Sequence, residues 1–326
     1  MTKPIRIGIL GAAKIAPPAV IKPAKENPEF EVVAVGARDQ ARARAYAEEH
    51  GIPHVAAGYA ELVTRDDVDL VYNALPPSAH AEWSIAALEA GKPVLCEKPF
   101  TRNAREAKLA VGTAQRLGVP LIEAFHNRFH RVLLRAREIT ASGELGRIKR
   151  AEAIFEAPIP YRDGELRWSR ELGGGALMDL GTYCVHAIRT NLSEEPRVER
   201  ATADVQHGVD ATMDSDWSFA SGATGRIYCT MTSTGFAGRF HVEGEKGSFE
   251  ILNYLAPQMG CRFTVTVDGK TREEPTDGDA TYVAQLKHVA DVLRRGAKQL
   301  TGGADSIAQM ETIDAVYAAA GIGRTF

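Results

Sequence analysis

Through residue 123, short apolar runs alternate with amphipathic segments, and no other feature narrows the fold as far. Ile5–Leu10 reads as a strand, as do 31–37, 69–74, 93–96 and 119–123. Between them lie a proline-interrupted helix after the turn at 11–16, an Ala/Arg/Glu-rich helix over Gln40–His50 that stops at Gly51, and a helix that Ser78 can cap and that ends at Gly91. Asn103 and Glu106 form a capping box for one more, which ends at Gly118. Alternation with short connections predicts a parallel, doubly wound sheet.

After residue 123 the pattern changes. Residues 147–157, 198–207, 214–232, 238–252 and 261–272 carry β-type alternation broken by glycine turns, and helical patterns cover 130–142, 175–190, 281–295 and 306–320. This half reads as an α+β domain with a mostly antiparallel, open sheet. A chain of 326 residues exceeds the roughly 250–300 at which single cores stop growing. The expected division is therefore 1–123, a dinucleotide-binding Rossmann domain, and 124–326, a domain for substrate binding and oligomerisation as a homodimer or homotetramer through its sheet.

Several function classes drop out. A net charge of −3 gives no electrostatic case for nucleic acid or an anionic membrane, and no apolar run approaches the roughly 20 residues that span a bilayer. Met1-Thr2-Lys3-Pro4 leads straight into a strand, with no room for a signal peptide. Cys96, Cys184, Cys229 and Cys261 are scattered, which predicts reduced thiols in a cytoplasmic protein. His126 and His130 flank Arg128 without ligand spacing, so no metal is expected.

The stretch Gly8-Ile9-Leu10-Gly11-Ala12-Ala13-Lys14-Ile15-Ala16 fits G-x-G-x-x-G/A with alanine at the second position. Gly11 allows a sharp turn out of the strand, and small residues at Ala12, Ala13 and Ala16, with Ile15, let the backbone approach a pyrophosphate. At the end of the second strand an NAD enzyme usually offers an acid to the ribose diol. Here Ala37 and Arg38 leave room for a 2′-phosphate and supply a guanidinium. NADP(H) is the preferred cofactor and NAD(H) the alternative, in which case Arg38 is a surface residue and Asp39 caps the next helix.

Glu97-Lys98-Pro99 places a charged pair at the mouth of an apolar strand, at the sheet edge where ligands bind in open α/β folds. A second polar constellation follows three glycines: in 168–186, Asp179, Tyr183 and His186 fall on one face of a helix begun near Gly175. Such a stripe serves either proton chemistry or a hydrogen-bonded seam. Arg128, Trp168 and His186 are candidates for the substrate cleft or for structural roles, and Tyr282, opening a late helix, reaches either the cofactor or the core.

Taken together, Glu97-Lys98-Pro99, the Gly11 turn and the Gly-Gly-Gly-x-x-x-Asp-x-Gly segment resemble the Gfo/Idh/MocA oxidoreductases over nearly the whole chain. Leu75-Pro76-Pro77 with His80, and the run from Glu123 to His130, support the resemblance. Many members carry histidine four residues after the aspartate. Tyr183 stands there in this chain, as in the branch of dihydrodiol dehydrogenases, NADP-linked aldose dehydrogenases and glucose-fructose oxidoreductase. The resemblance implies a cis bond before Pro99, a cofactor bordered by Leu75, Pro76, His80, Glu97, Lys98 and Arg128, and a reacting carbon flanked by Lys98 and Tyr183 with Asp179 nearby.

Taking hydride from a carbinol needs a base for the hydroxyl proton, and the reverse reaction needs an acid. A phenol, with an ordinary pKa near 10, is brought toward that role by an ammonium and an oxidised nicotinamide. Tyr183 is thus the general acid/base, and Lys98 tunes it and binds the substrate oxygen; exchange of these two roles stays open. Asp179 orients the lysine or accepts a substrate hydroxyl. Such a chain is an NADP(H)-dependent oxidoreductase acting on a sugar, polyol or cyclic diol. The alternatives are a glycosidase using transient oxidation and a nucleotide-sensing regulator without catalysis.

Overall fold

The computed structural model describes residues 3–323 and contains two compact units, one through His126 with Tyr282–Ile307, the other covering Asn127–Thr281 and the described residues from Ala308 onward.

The first unit is built on six strands: β1 (Ile5–Leu10), β2 (Phe30–Gly36), β3 (His54–Ala56), β4 (Leu70–Asn73), β5 (Val94–Glu97) and β6 (Leu121–Ala124). All pair in parallel, in the order β3-β2-β1-β4-β5-β6. Strand order reverses between β1 and β4, the switch point outside which a doubly wound sheet binds its ligands. The turns after β1, β2, β4 and β5, and with them Gly11, Arg38, Leu75 and Lys98, therefore share one edge of the sheet. Strands β4 to β6 are buried at every position, as expected where helices cover both faces.

The helices show how the sequence sets their ends. A π turn at Pro17–Ile21 leads into α1 (Lys22–Glu26), so the prolines do not interrupt this helix; the wider turn accommodates residues that lack donors. Asp39 caps α2 (Gln40–His50) by accepting from the amides of Ala41 and Arg42, and Gly51 closes it with φ 71°. The short β3 and α3 (Tyr59–Thr64) have no sequence signal of their own. Pro76, not Ser78, stands at the N-cap of α4 (Pro77–Glu89), whose Pro77 needs no donor in the first turn. Asn103 caps α5 (Ala104–Leu117) through the Glu106 amide, but the Glu106 carboxylate accepts from the Arg102 amide (3.1 Å), one residue beyond the expected box.

The second unit holds α6 (Arg131–Ala141), β7 (Ile148–Pro158), a π turn at Leu177–Gly181 running into α7 (Thr182–Leu192), β8 (Arg197–Gln206), β9 (Val209–Ser218), β10 (Thr224–Thr230), β11 (Thr232–Gly244), β12 (Gly247–Leu252), β13 (Arg262–Val267) and β14 (Lys270–Glu273). Its sheet runs β14-β13-β12-β11-β7-β10-β9-β8, antiparallel except for β7 beside β10. Residues 214–232 and 238–252, expected as β alternation broken by glycine turns, lie in the hairpins β9–β10 and β11–β12. One sheet surface carries ion pairs, with Glu152 held by Arg226 (3.0 Å) and Arg239 (2.7 Å). Trp217, Phe240, Phe249 and Phe263 are buried in the core.

Two late helices follow, α8 (Thr281–Arg295) and α9 (Ala304–Ala319). Leu286, Val289 and Ala290 of α8 join the core of the first unit, with Tyr282 packed against it.

Candidate active site

At the nucleotide end of the first unit, Gly11 has φ +92°, and a Cβ there would meet Leu75 Cδ2 at 3.1 Å. Its amide donates to the Gly36 carbonyl (2.8 Å). Two side chains of α2 that sequence reasoning missed hold this turn: Arg42 donates to the Ala12 carbonyl (2.7 Å) and Tyr46 to the Ala13 carbonyl (3.0 Å). Ala12 and Ala16 are buried and Ala13 and Ile15 half-buried. The N-terminus of the following helix has no side-chain cap, and its peptide dipoles favour an anion there. Arg38 is exposed, whereas the Asp39 carboxylate is engaged as the cap of α2. A pyrophosphate fits the glycine turn, and a 2′-phosphate fits the edge where arginine, not an acid, follows the buried Ala37.

Near Lys98, Glu97 is buried and accepts from the Tyr72 hydroxyl (2.7 Å). The Lys98–Pro99 peptide is cis, as the resemblance implied. His80 contacts the carbonyls of Pro99 (2.9 Å) and Leu75 (2.6 Å), tying the Leu75-Pro76 turn to the Lys98-Pro99 turn. Burial pushes this imidazole down to about 4 against the opposing pull of those carbonyls. Asn73, absent from the expectations, donates to the His80 carbonyl (3.1 Å) and accepts from the Leu75 amide (3.3 Å). Tyr282 packs on His126, ring centroids 4.2 Å apart. His126 is driven down to about 3, mainly by burial and then by the Lys98 ammonium.

In the second unit two of the three glycines, Gly174 and Gly175, have a local purpose. A Cβ on Gly174 would lie 2.5 Å from the Leu166 carbonyl oxygen; Gly175 has φ +121°, and a Cβ there would lie 2.1 Å from Asp210 Oδ1. Gly174 and Gly175 thus fold 165–175 tightly onto the start of the helix. Asp210, buried, accepts from the Leu177 amide (2.7 Å) and from the Tyr317 hydroxyl (2.8 Å).

Asp179 lies in the π turn, and its Oδ2 accepts from Arg167 Nε (2.6 Å). That carboxylate, ahead of Glu165, raises the guanidinium above its ordinary range. Tyr183 lies in the first turn of α7 and is 7% exposed, its ring edge-on to Phe155 at 5.9 Å. Arg167 and Phe155 carried no motif. A charged residue on a neighbouring loop and an aromatic on a facing strand are invisible to spacing.

The other candidates take different places. Trp168 is buried, donates to the Ile159 carbonyl (2.9 Å), and meets His207 edge-on (5.5 Å). Arg128 and His186 line one polar cavity of the second unit with Asn127, Arg137 and Asn191, with room for about one water. Among the described residues no cluster of three metal-ligating side chains occurs, and no helix is long and apolar enough to cross a membrane.

Comparison with known proteins fits this geometry. Residues 5–125 match the model of an oxidoreductase family with an NAD-binding Rossmann fold, and residues 133–250 match that of the GFO/IDH/MocA C-terminal domain. The chain is 35% identical over 319 residues to D-xylose 1-dehydrogenase (NADP(+)) 2 of Haloferax volcanii, covering 97% of each. It is 30% identical over 307 residues to trans-1,2-dihydrobenzene-1,2-diol dehydrogenase of Mus musculus, covering 90% of each. The crystal structure of a 3-ketoreductase from Actinomadura kijaniata in complex with NADP and TDP-benzene superposes with a TM-score of 0.87 at 26% identity, covering 97% of this chain and 98% of that one.

Proposed function

This chain belongs to the Gfo/Idh/MocA oxidoreductase family, and from that premise we propose that it is an NADP(H)-dependent dehydrogenase/reductase moving hydride between the nicotinamide and a hydroxyl or carbonyl carbon of a sugar, polyol or cyclic diol. The observation that carries this is the pairing of a Rossmann unit ending β5 in Glu97-Lys98 with a second unit bearing Asp179 and Tyr183. The cofactor supplies hydride transfer; every proton is handled by the chain's own groups. In the oxidative direction Lys98 hydrogen-bonds the substrate oxygen and stabilises its developing charge, Tyr183 takes the hydroxyl proton, and Asp179 accepts from a substrate hydroxyl or orients the lysine.

In this reading Gly11, Ala12, Ala13 and Ile15 border the pyrophosphate, Ala37 and Arg38 the 2′-phosphate, and Leu75, Pro76, His80, Glu97, Arg128 and Tyr282 complete the cofactor site. Trp168 and His186 line the substrate site. The first 123 residues, with α8 packed into their core, form the dinucleotide-binding domain, and the rest of the chain binds substrate and assembles a homodimer or homotetramer through its sheet. Exposed Leu252 on β12, paired with Arg239 on the ion-paired sheet surface, supports that assembly, and light scattering measures it. The four cysteines are free thiols, which supports a cytoplasmic setting.

An NADP⁺ reduction assay across aldoses, inositols and trans-diols tests the activity. Turnover on at least one class is expected; sugar release without net change in nicotinamide absorbance would instead identify a glycosidase. Arg38→Ala is expected to raise the KM for NADP⁺ roughly 10- to 100-fold, the loss of one or two charge-assisted bonds, and to leave the KM for NAD⁺ unchanged. Equal effects on both cofactors would remove Arg38 from the 2′-phosphate site.

A further inference from the structure

We propose that Arg167 is a positioning residue of this enzyme, holding Asp179 in the orientation and charge state the reaction needs. The inference rests on the reading above, in which Asp179 acts on the substrate or on Lys98. Arg167 Nε donates to Asp179 Oδ2 at 2.6 Å, while Nη1 donates to Glu165 Oε1 at 3.0 Å. One planar fork thus spans two carboxylates, which a lysine ammonium cannot reproduce. The main chain of Arg167 is committed as well: its carbonyl accepts from the Gly175 amide at 2.9 Å. A Cβ on Gly174 would lie 2.6 Å from that same carbonyl oxygen. Arg167 is therefore joined, by side chain and by backbone, to the segment that presents Asp179.

The loop bearing it is anchored too. The neighbouring Trp168 is buried and bonded to Ile159, and Tyr161 stacks on His207 with ring centroids 3.8 Å apart and planes 10° from parallel. His207 adopts φ 51° at the β8–β9 turn, an uncommon conformation outside glycine. The side chains of Arg167 and Asp179 are 42% and 18% exposed. The guanidinium is thus partly solvated while the carboxylate is largely enclosed, so the pair's own contribution to stability is screened on one side only. A guanidinium at this distance favours the carboxylate form of its partner, and a bond to Oδ2 sets the plane in which the carboxylate meets another donor.

Steady-state kinetics of Arg167→Ala, Arg167→Lys, Asp179→Asn and the double variant R167A/D179N test this. Arg167→Ala is expected to lower kcat roughly 10- to 100-fold with the KM for NADP⁺ unchanged, and Arg167→Lys to fall between it and wild type. Asp179→Asn should lose at least as much, and Arg167→Ala should add nothing in that background. Wild-type turnover in Asp179→Asn would remove the role of Asp179 and the inference with it. Loss in Asp179→Asn alongside wild-type kcat in Arg167→Ala would overturn the inference alone, as would losses that multiply in the double variant. Should Arg167→Ala fail to fold, Arg167→Lys carries the same comparison, and a lowered thermal midpoint with undiminished kcat would reduce the pair to a structural one.

Discussion

Tyr183→Phe is expected to cut kcat by roughly 10²- to 10⁴-fold, the usual contribution of a positioned proton-transfer group, while NADP(H) affinity is retained. The substitution is clean because the ring is already held by apolar contact. Tyr183 is 7% exposed and meets Phe155 edge-on at 5.9 Å, and Phe155 meets Phe236 at 5.6 Å. Phenylalanine keeps that packing and removes one hydroxyl. Turnover and a fluorescence titration of NADPH, measured on the same preparation, separate chemistry from binding.

The pH profile decides between Tyr183 and Lys98. In the oxidative direction the base must be deprotonated, so kcat/KM climbs with pH until the group has lost its proton. If Tyr183 is that group, the rising limb disappears in Tyr183→Phe and survives, at a lower rate, in Lys98→Ala. If the limb survives in Tyr183→Phe and disappears in Lys98→Ala, the roles are exchanged. Wild-type rates in both variants would remove the mechanism.

How far the chain could be read in advance depended on whether the signal was local. β1 and α2 match their expected bounds because apolar periodicity, the Asp39 cap and the Gly51 stop all lie within one element. β3 has three residues, too few for period two to show. The π turns at Pro17–Ile21 and Leu177–Gly181 carry no composition that separates them from α-helix. Tyr282 was legible as a residue opening a helix, but the apolar face of α8 does not say which core it joins; Leu286, Val289 and Ala290 settle that by packing into the first unit.

The site divides along the same line. Lys98, Asp179 and Tyr183 stand in motifs, whereas Arg42, Tyr46, Asn73, Phe155 and Arg167 act through contacts that sequence separation hides. The glycine run is the instructive case. Its residues were recognised, but the reason for them is the carbonyls of Leu166 and Arg167 and the carboxylate of Asp210, none of which a linear reading brings near.

Gly175→Ala should accordingly be among the most damaging single-methyl additions in the chain. At φ +121° an L-residue is strained, and its Cβ would sit 2.1 Å from Asp210 Oδ1 and 3.0 Å from the Tyr317 hydroxyl. Backbone strain of this kind costs about 1–3 kcal/mol. Displacing the Asp210 carboxylate forfeits its bonds to the Leu177 amide and the Tyr317 hydroxyl, where a hydrogen bond to a charged group contributes about 1.5–3 kcal/mol. A combined loss of about 4–9 kcal/mol is comparable with ordinary domain stability. It corresponds to a fall of at least roughly 8 °C in thermal midpoint at about 2–4 °C per kcal/mol. Activity should fall with it, because the Leu177 amide opens the turn that carries Asp179 and leads to Tyr183. Gly112→Ala supplies the opposite sign: it lies exposed inside α5 with nothing within 4 Å of an added Cβ, and should gain about 0.5–1 kcal/mol through better helix propensity. Differential scanning calorimetry of the two variants checks both signs, and a Gly175→Ala midpoint within a degree or so of wild type would mean that Asp210 moves aside without cost.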